Sequence, residues 1–145
     1  MNRNNAVTRH VSEPRIRRLK NSSIVSFGYS QKELMEKHQV LCNSGFNVTS
    51  SSDFRSVKSL IRKQPGKFAL LVVGPSVPEL ERAQLARLFR HSCPQGDVIL
   101  FYRGSIRNGQ GASALLSEVG SPENLLQAIF VLHNQREQGL ACGPP

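Results

Sequence analysis

The chain has 145 residues, 39% of them hydrophobic and 20% charged, with a formal net charge of +9. That is enough for one globular domain with short tails and too little for a second domain. No apolar run approaches the ~20 residues needed to cross a bilayer, and the polar, Arg-rich N-terminus has no apolar segment behind it, so a cytoplasmic protein without membrane contact is expected.

The charge is unevenly placed. Residues 1–20 hold Arg3, Arg9, Arg15, Arg17, Arg18 and Lys20 against Glu13 alone, so +5 of the +9 lies there. This leader is Asn-rich, contains Pro14 and has no helical apolar stripe, so 1–21 is expected to be disordered when unbound. The tail 135–145, with Gly139, Gly143, Pro144 and Pro145, is expected to be flexible too, leaving 22–134 as the folded domain.

Ser23 to Phe27 is a short β-rich run that stops at Gly28. Ser30 and Glu33 have the spacing of a capping box, and Leu34, Leu41 and Cys42 recur at helical intervals until Gly45. Phe46 to Ser50 is a weaker strand. A second helix starts near Asp53, carries Val57, Leu60 and Ile61 on one face, and ends at Gln64-Pro65-Gly66. Phe68 to Val73 is apolar throughout, as suits the central strand of a parallel sheet covered on both faces, and Gly74 closes it.

A third helix begins near Pro78, with Glu79 and Glu81 in its first turn and Arg87, Arg90 and His91 in its last, matching its own dipole. Leu80, Leu85, Leu88 and Phe89 are expected to face the sheet. Val98 to Tyr102 is another buried strand and Ala114 to Leu116 a short one. Ser121-Pro122-Glu123 opens the last helix, with Leu125, Leu126, Ile129 and Leu132 on its apolar side and His133 at its end. Strands alternating with helices at this spacing predict an α/β fold with a doubly wound parallel sheet.

Residues 23–133 resemble the receiver domains of two-component response regulators, the CheY-like family. Ile24 to Val48 lines up with the first strand, first helix and following Gly-aromatic-x-Val, here Gly45-Phe46-Asn47-Val48. Phe68 to Pro78 resembles the third strand and the turn after it. Gly111-Ala112 resembles the Gly-Ala before the last strand, and Ser121-Pro122-Glu123-Asn124-Leu125-Leu126 the opening of the last helix. The resemblance implies a flavodoxin-like sheet of five parallel strands in the order 2-1-3-4-5. Only Arg103 to Gln110 separate Tyr102 from Gly111, so the family's fourth helix is expected to be reduced or absent.

The family's functional residues have no counterparts here. Its magnesium-binding acids match Gly28 and Tyr29, and its phosphorylated aspartate, at the end of the third strand, matches Gly74. The Ser or Thr that closes on the phosphoryl group matches Tyr102, and the paired lysine matches Glu118. The chain's two aspartates do not help, because Asp53 comes too early and Asp97 precedes a strand, at the sheet edge opposite the ligand crevice. No carboxylate is therefore expected at the crevice, and no metal or cofactor. Tyr29 and Tyr102 either fill the phosphoryl space or are ordinary loop residues.

Other chemistries find little support. Gly104, Gly109 and Gly111 follow a late strand without GxxxxGK[ST] or GxGxxG, and His38 and His91 are too far apart to read as a pair. Cys42 is expected to fill core space, Cys93 to sit at a loop edge, and neither pairs with Cys142 in a metal or disulfide pattern. The expected function is that of a stand-alone, non-enzymatic pseudo-receiver. It would act by phosphorylation-independent protein–protein interaction in a two-component or phosphorelay-type pathway, with a histidine kinase or another regulator as partner. The alternative is nucleic-acid or anionic-surface binding through Arg3, Arg9, Arg15, Arg17, Arg18 and Lys20, although no aromatic residue precedes Phe27 to stack on a base.

Overall fold

Five parallel strands pair in the order β2-β1-β3-β4-β5, the order the resemblance implies. The computed structural model describes residues 23–103, 112–117 and 123–142. They run β1 (Ser23–Phe27), α1 (Gln31–Asn43), β2 (Asn47–Ser51), α2 (Phe54–Lys63), β3 (Phe68–Val73), α3 (Glu79–Ser92), β4 (Asp97–Tyr102), β5 (Ala114–Ser117) and α4 (Glu123–Cys142). The leader lies outside the described residues.

The strand sequences explain why helices cover both faces. In β3, Leu71 and Val73 join Val25, Phe27, Val98 and Leu100 on one side, with Val57 and Ile61 of α2 and Leu85 and Phe89 of α3. Leu70 and Val72 join Ile24, Ile99 and Phe101 on the other, with Leu41 of α1 and Leu125 and Ile129 of α4. Phe68 breaks the alternation and belongs with the first group. The reason is a register shift: Ser23 pairs with Phe68 but Ile24 pairs with Leu70, so Ala69 is an extra residue that reverses the facing of Phe68.

The helix ends follow their local chemistry. Ser30 Oγ accepts the Glu33 N–H at 3.4 Å, and Asp53 Oδ2 accepts both the Ser56 N–H at 2.8 Å and the Ser56 hydroxyl at 2.7 Å. These bonds hold the Asp53 carboxyl below its ordinary range, with a smaller contribution from Arg55. Asp53 therefore stabilises α2 above the ordinary carboxylate pKa, and that contribution is lost as pH falls. After α1, Gly45 takes φ +93° and the chain turns back to seat Phe46 against the core.

Several expectations need correction. Leu80 is 70% exposed rather than facing the sheet, since it stands five residues before Leu85, about 140° around the helix. Cys42 is exposed and Cys93 buried, the reverse of their expected places. The buried face of α1 is Leu34, Lys37 and Leu41, which turns Cys42 outward, while Cys93 ends α3 against the core. The last helix continues past 134 to Cys142, which leaves His133 inside it rather than at its end. A lone glycine such as Gly139 costs a helix only about 1 kcal/mol, too little to stop it. Among the described residues there are four helices, and the fourth, α4, is twenty residues long rather than reduced. The β4–β5 connection, where the sequence predicts a shortened helix, falls at 104–111, outside the described residues.

Candidate functional site

In a parallel sheet the loops that leave the C-terminal strand ends form the ligand crevice, and it opens where the chain reverses direction across the sheet. Here that place is between β1 and β3, at Gly28 and Gly74. The Gly74 N–H donates to the Phe27 carbonyl at 2.8 Å, and the Gly28 N–H donates to the Ser51 carbonyl at 3.3 Å. A Cβ on either glycine would lie within 3.9 Å of the other residue, so the two backbones pass in van der Waals contact.

The crevice is closed by side chains from both of its loops. Ser76, in the β3–α3 loop, accepts the N–H groups of Tyr29 and Ser30 on one hydroxyl, at 3.0 and 3.1 Å. Below it, Phe27, Gly28, Ser30, Glu33, Leu34, Lys37, Gly74 and Ser76 enclose a gap too tight for a water molecule. Lys37 is buried, its ammonium 4.4 Å from the centre of the Phe101 ring, a cation–π contact. Glu33 Oε2 lies 3.2 Å from Arg103, while its buried Oε1 has no hydrogen-bond partner among the described residues.

Tyr29 spans the mouth. Its ring meets Phe27 edge-on with centroids 5.1 Å apart, and its hydroxyl donates to Glu81 Oε1 at 2.6 Å. Partial desolvation, the bond to Glu81 and the negative charges of Glu81 and Asp53 push the Tyr29 hydroxyl up to about 12. Its folded-state pKa exceeds its ordinary value, so the unfolded chain loses this proton first. The stabilisation is complete below pH 10 and is lost between there and 12. Tyr29→Phe is expected to remove that part of the alkaline loss of stability, measured as denaturant midpoints on either side of pH 10. The shift should be small, because the residue is 40% exposed and solvent screens its charge.

Gly28, Tyr29 and Gly74 thus lie together at the crevice. Tyr29 lies over the mouth rather than inside the gap. Tyr102 ends β4, paired with Ser117 of β5, and does not line the gap. Glu118 lies outside the described residues.

The expectation of a crevice without carboxylates is overturned. Glu33, Asp53 and Glu81 all reach this edge, because the helices that follow parallel strands begin there and carry their N-cap and first-turn acids with them. Each of the three already bonds to protein: Glu33 to Arg103, Asp53 to Ser56 and Glu81 to Tyr29. Among the described residues no three His, Cys, Asp or Glu side chains converge as a metal site.

Two participants were not anticipated. Lys37 was legible, since it lies three residues after Leu34 and four before Leu41, on the apolar stripe itself. Ser76 left no trace, because nothing local distinguishes a loop serine that will cap a distant loop.

No protein-family model matches the sequence, and no curated protein matches it. Solved structures do. A response-regulator receiver domain from Clostridium thermocellum superposes with a TM-score of 0.67 at 15% identity, covering 81% of this chain and 98% of that one. A response-regulator receiver protein from Sinorhizobium medicae gives 0.68 at 17% identity, with 79% and 96% covered. A CheY-like receiver domain protein from Methanospirillum hungatei gives 0.68 at 18% identity, with 81% and 97% covered. The fold is that of solved receiver domains. At these identities the likeness establishes the fold and nothing finer.

Proposed function

We propose that the chain is a receiver-like signalling module that acts through protein–protein contacts without being phosphorylated. Gly74 carries this reading. It stands at the end of the central strand, where receivers place the aspartate that accepts the phosphoryl group, and it has no side chain to accept one. The surroundings agree with it. Ser76 ties the two crevice loops together through Tyr29 and Ser30, and the Tyr29–Glu81 and Arg103–Glu33 contacts hold the same rim. The crevice that a phosphorylated receiver uses as a switch is closed by uncharged and paired groups, so the surface offered to a partner is a constant one.

The test is to incubate the chain with acetyl phosphate and magnesium and measure its intact mass. No adduct is expected. A stoichiometric, acid-labile phosphoryl adduct would overturn the proposal.

A further inference from the structure

The folded domain carries a second charged feature, on the helix that flanks the sheet on the α2–α3 side. Between Phe54 and Lys63, α2 holds Arg55, Lys58, Arg62 and Lys63 and no acid. Val57 and Ile61 are buried against the sheet, and the four cations with Ser59 line one shallow depression of about 430 Å³ on the outer face. None of the four forms an ion pair among the described residues. Lys58 lies over the Phe54 ring, 4.4 Å from its centre.

Dipole complementarity explains only part of this stripe. Arg62 and Lys63 suit the C-terminal turn, but Arg55 stands in the first turn, where a cation opposes the helix dipole and the Asp53 carboxylate at the N-cap offsets only part of that cost. Arg55 and Lys58 are three apart and Lys58 and Arg62 four apart, so like charges are neighbours along the helix, which destabilises it. An arrangement that opposes folding points to an external anion.

The chemistry of the stripe selects among anions. None of the exposed large hydrophobic residues, Tyr29, Met35, Leu80 and Val131, lies on α2. A bilayer surface would call for apolar side chains to insert, and a protein interface for an apolar centre, and the stripe provides neither. Base stacking on single strands needs exposed aromatic rings. A duplex hides its bases and presents phosphates at one charge per about 1.7 Å of axis. The stripe from Arg55 to Arg62 runs about 10 Å along the helix, which lets its cations meet several of them. Ser23, where β1 begins, pairs with Phe68, directly after Lys67 and the turn that ends α2.

We propose that Arg55, Lys58, Arg62 and Lys63 form a phosphate-backbone contact for double-stranded nucleic acid, independent of the crevice. The full chain is titrated against mixed-sequence DNA and RNA duplexes, the corresponding single strands and anionic lipid vesicles, over a range of salt. It is compared with a variant carrying Arg55→Gln, Lys58→Gln, Arg62→Gln and Lys63→Gln. Further comparisons are Arg55→Lys with Arg62→Lys, and a leader variant with Arg3, Arg9, Arg15 and Arg17 all changed to Gln.

The four-site variant is expected to bind duplexes at least about tenfold more weakly at low salt, and to flatten the dependence of log affinity on log salt by up to about 3.6, at 0.9 per phosphate released. The lysine variant should bind as the parent does and keep its thermal midpoint, and the four-site variant, relieved of the repulsion between like charges, should melt no lower than the parent. The proposal is overturned if the full chain binds no duplex, or if it prefers single strands or vesicles. It is also overturned if the four-site variant keeps its affinity while the leader variant loses it.

Discussion

Gly96→Ala is expected to destabilise the fold by about 1–3 kcal/mol, the usual cost of forcing extra atoms into a packed core. A Cβ at this position would stand 2.7 and 2.8 Å from Cε2 and Cζ of Phe89 and 3.0 Å from the Phe68 carbonyl oxygen. The ring cannot move aside, because Phe89 is fully buried among Leu85, Phe68 and Val98. Nor can the loop easily back away, since the Gly96 N–H closes a turn onto the Cys93 carbonyl at 2.9 Å just before β4 begins. Phe89→Ala should cost about 3–5 kcal/mol through the cavity it leaves. Combining Gly96→Ala with Phe89→Ala should cost less than the sum of the two, because the methyl enters space the ring has vacated. Urea midpoints of the four proteins check this. Additive losses would show that Gly96 is required for some reason other than the Phe89 ring.

Gly96 also marks where the sequence stops being informative. The elements themselves were legible because their signals are local: the unbroken apolar run of Phe68 to Val73, Ser30 and Asp53 at helix starts, and Gly45 and Gly66 at turns with positive φ. The strand order came from the resemblance, since no property of a single strand says which neighbour it takes. What remained hidden depends on tertiary approach. The close pass of Gly96 against Phe89, the reach of Ser76 across to Tyr29 and the reversed facing of Phe68 each involve partners brought together only by folding. The misplaced carboxylates have a different origin. Counting acids at strand ends missed Glu33 and Glu81 and set Asp53 aside as too early, although parallel topology delivers the start of every crossover helix to the crevice edge. The glycines at 28 and 74 lie at the crevice because they follow directly on strands whose ends define it.

Gly74→Asp alone is expected to fold and yet remain unphosphorylated by acetyl phosphate and magnesium. The position accepts a Cβ: one built there meets only the Phe27 carbonyl oxygen at 3.6 Å and Gly28 Cα at 3.7 Å, ordinary contacts, and Gly74 is not among the residues of positive φ. Lys37 lines the same gap, so a cation stands near the new carboxylate. A single acid does not make the site, however. Magnesium requires a near-octahedral set of hard oxygen ligands and usually takes one or two carboxylates besides water. At the positions the resemblance aligns with the family's ligands this chain has Gly28 and Tyr29, and Glu33, Asp53 and Glu81 are bonded elsewhere. Adding Gly28→Asp and Tyr29→Asp supplies those ligands and releases the Glu81 latch, and a Cβ on Gly28 has room, its nearest contact being Gly74 Cα at 3.8 Å. Magnesium binding, measured by calorimetry, should therefore be absent in the single variant and present in the triple one. Intact mass should show no phosphoryl adduct on the single variant. Phosphorylation of Gly74→Asp by itself would mean that the crevice already supplies the ion's ligands, and the closed-crevice reading would fail with it.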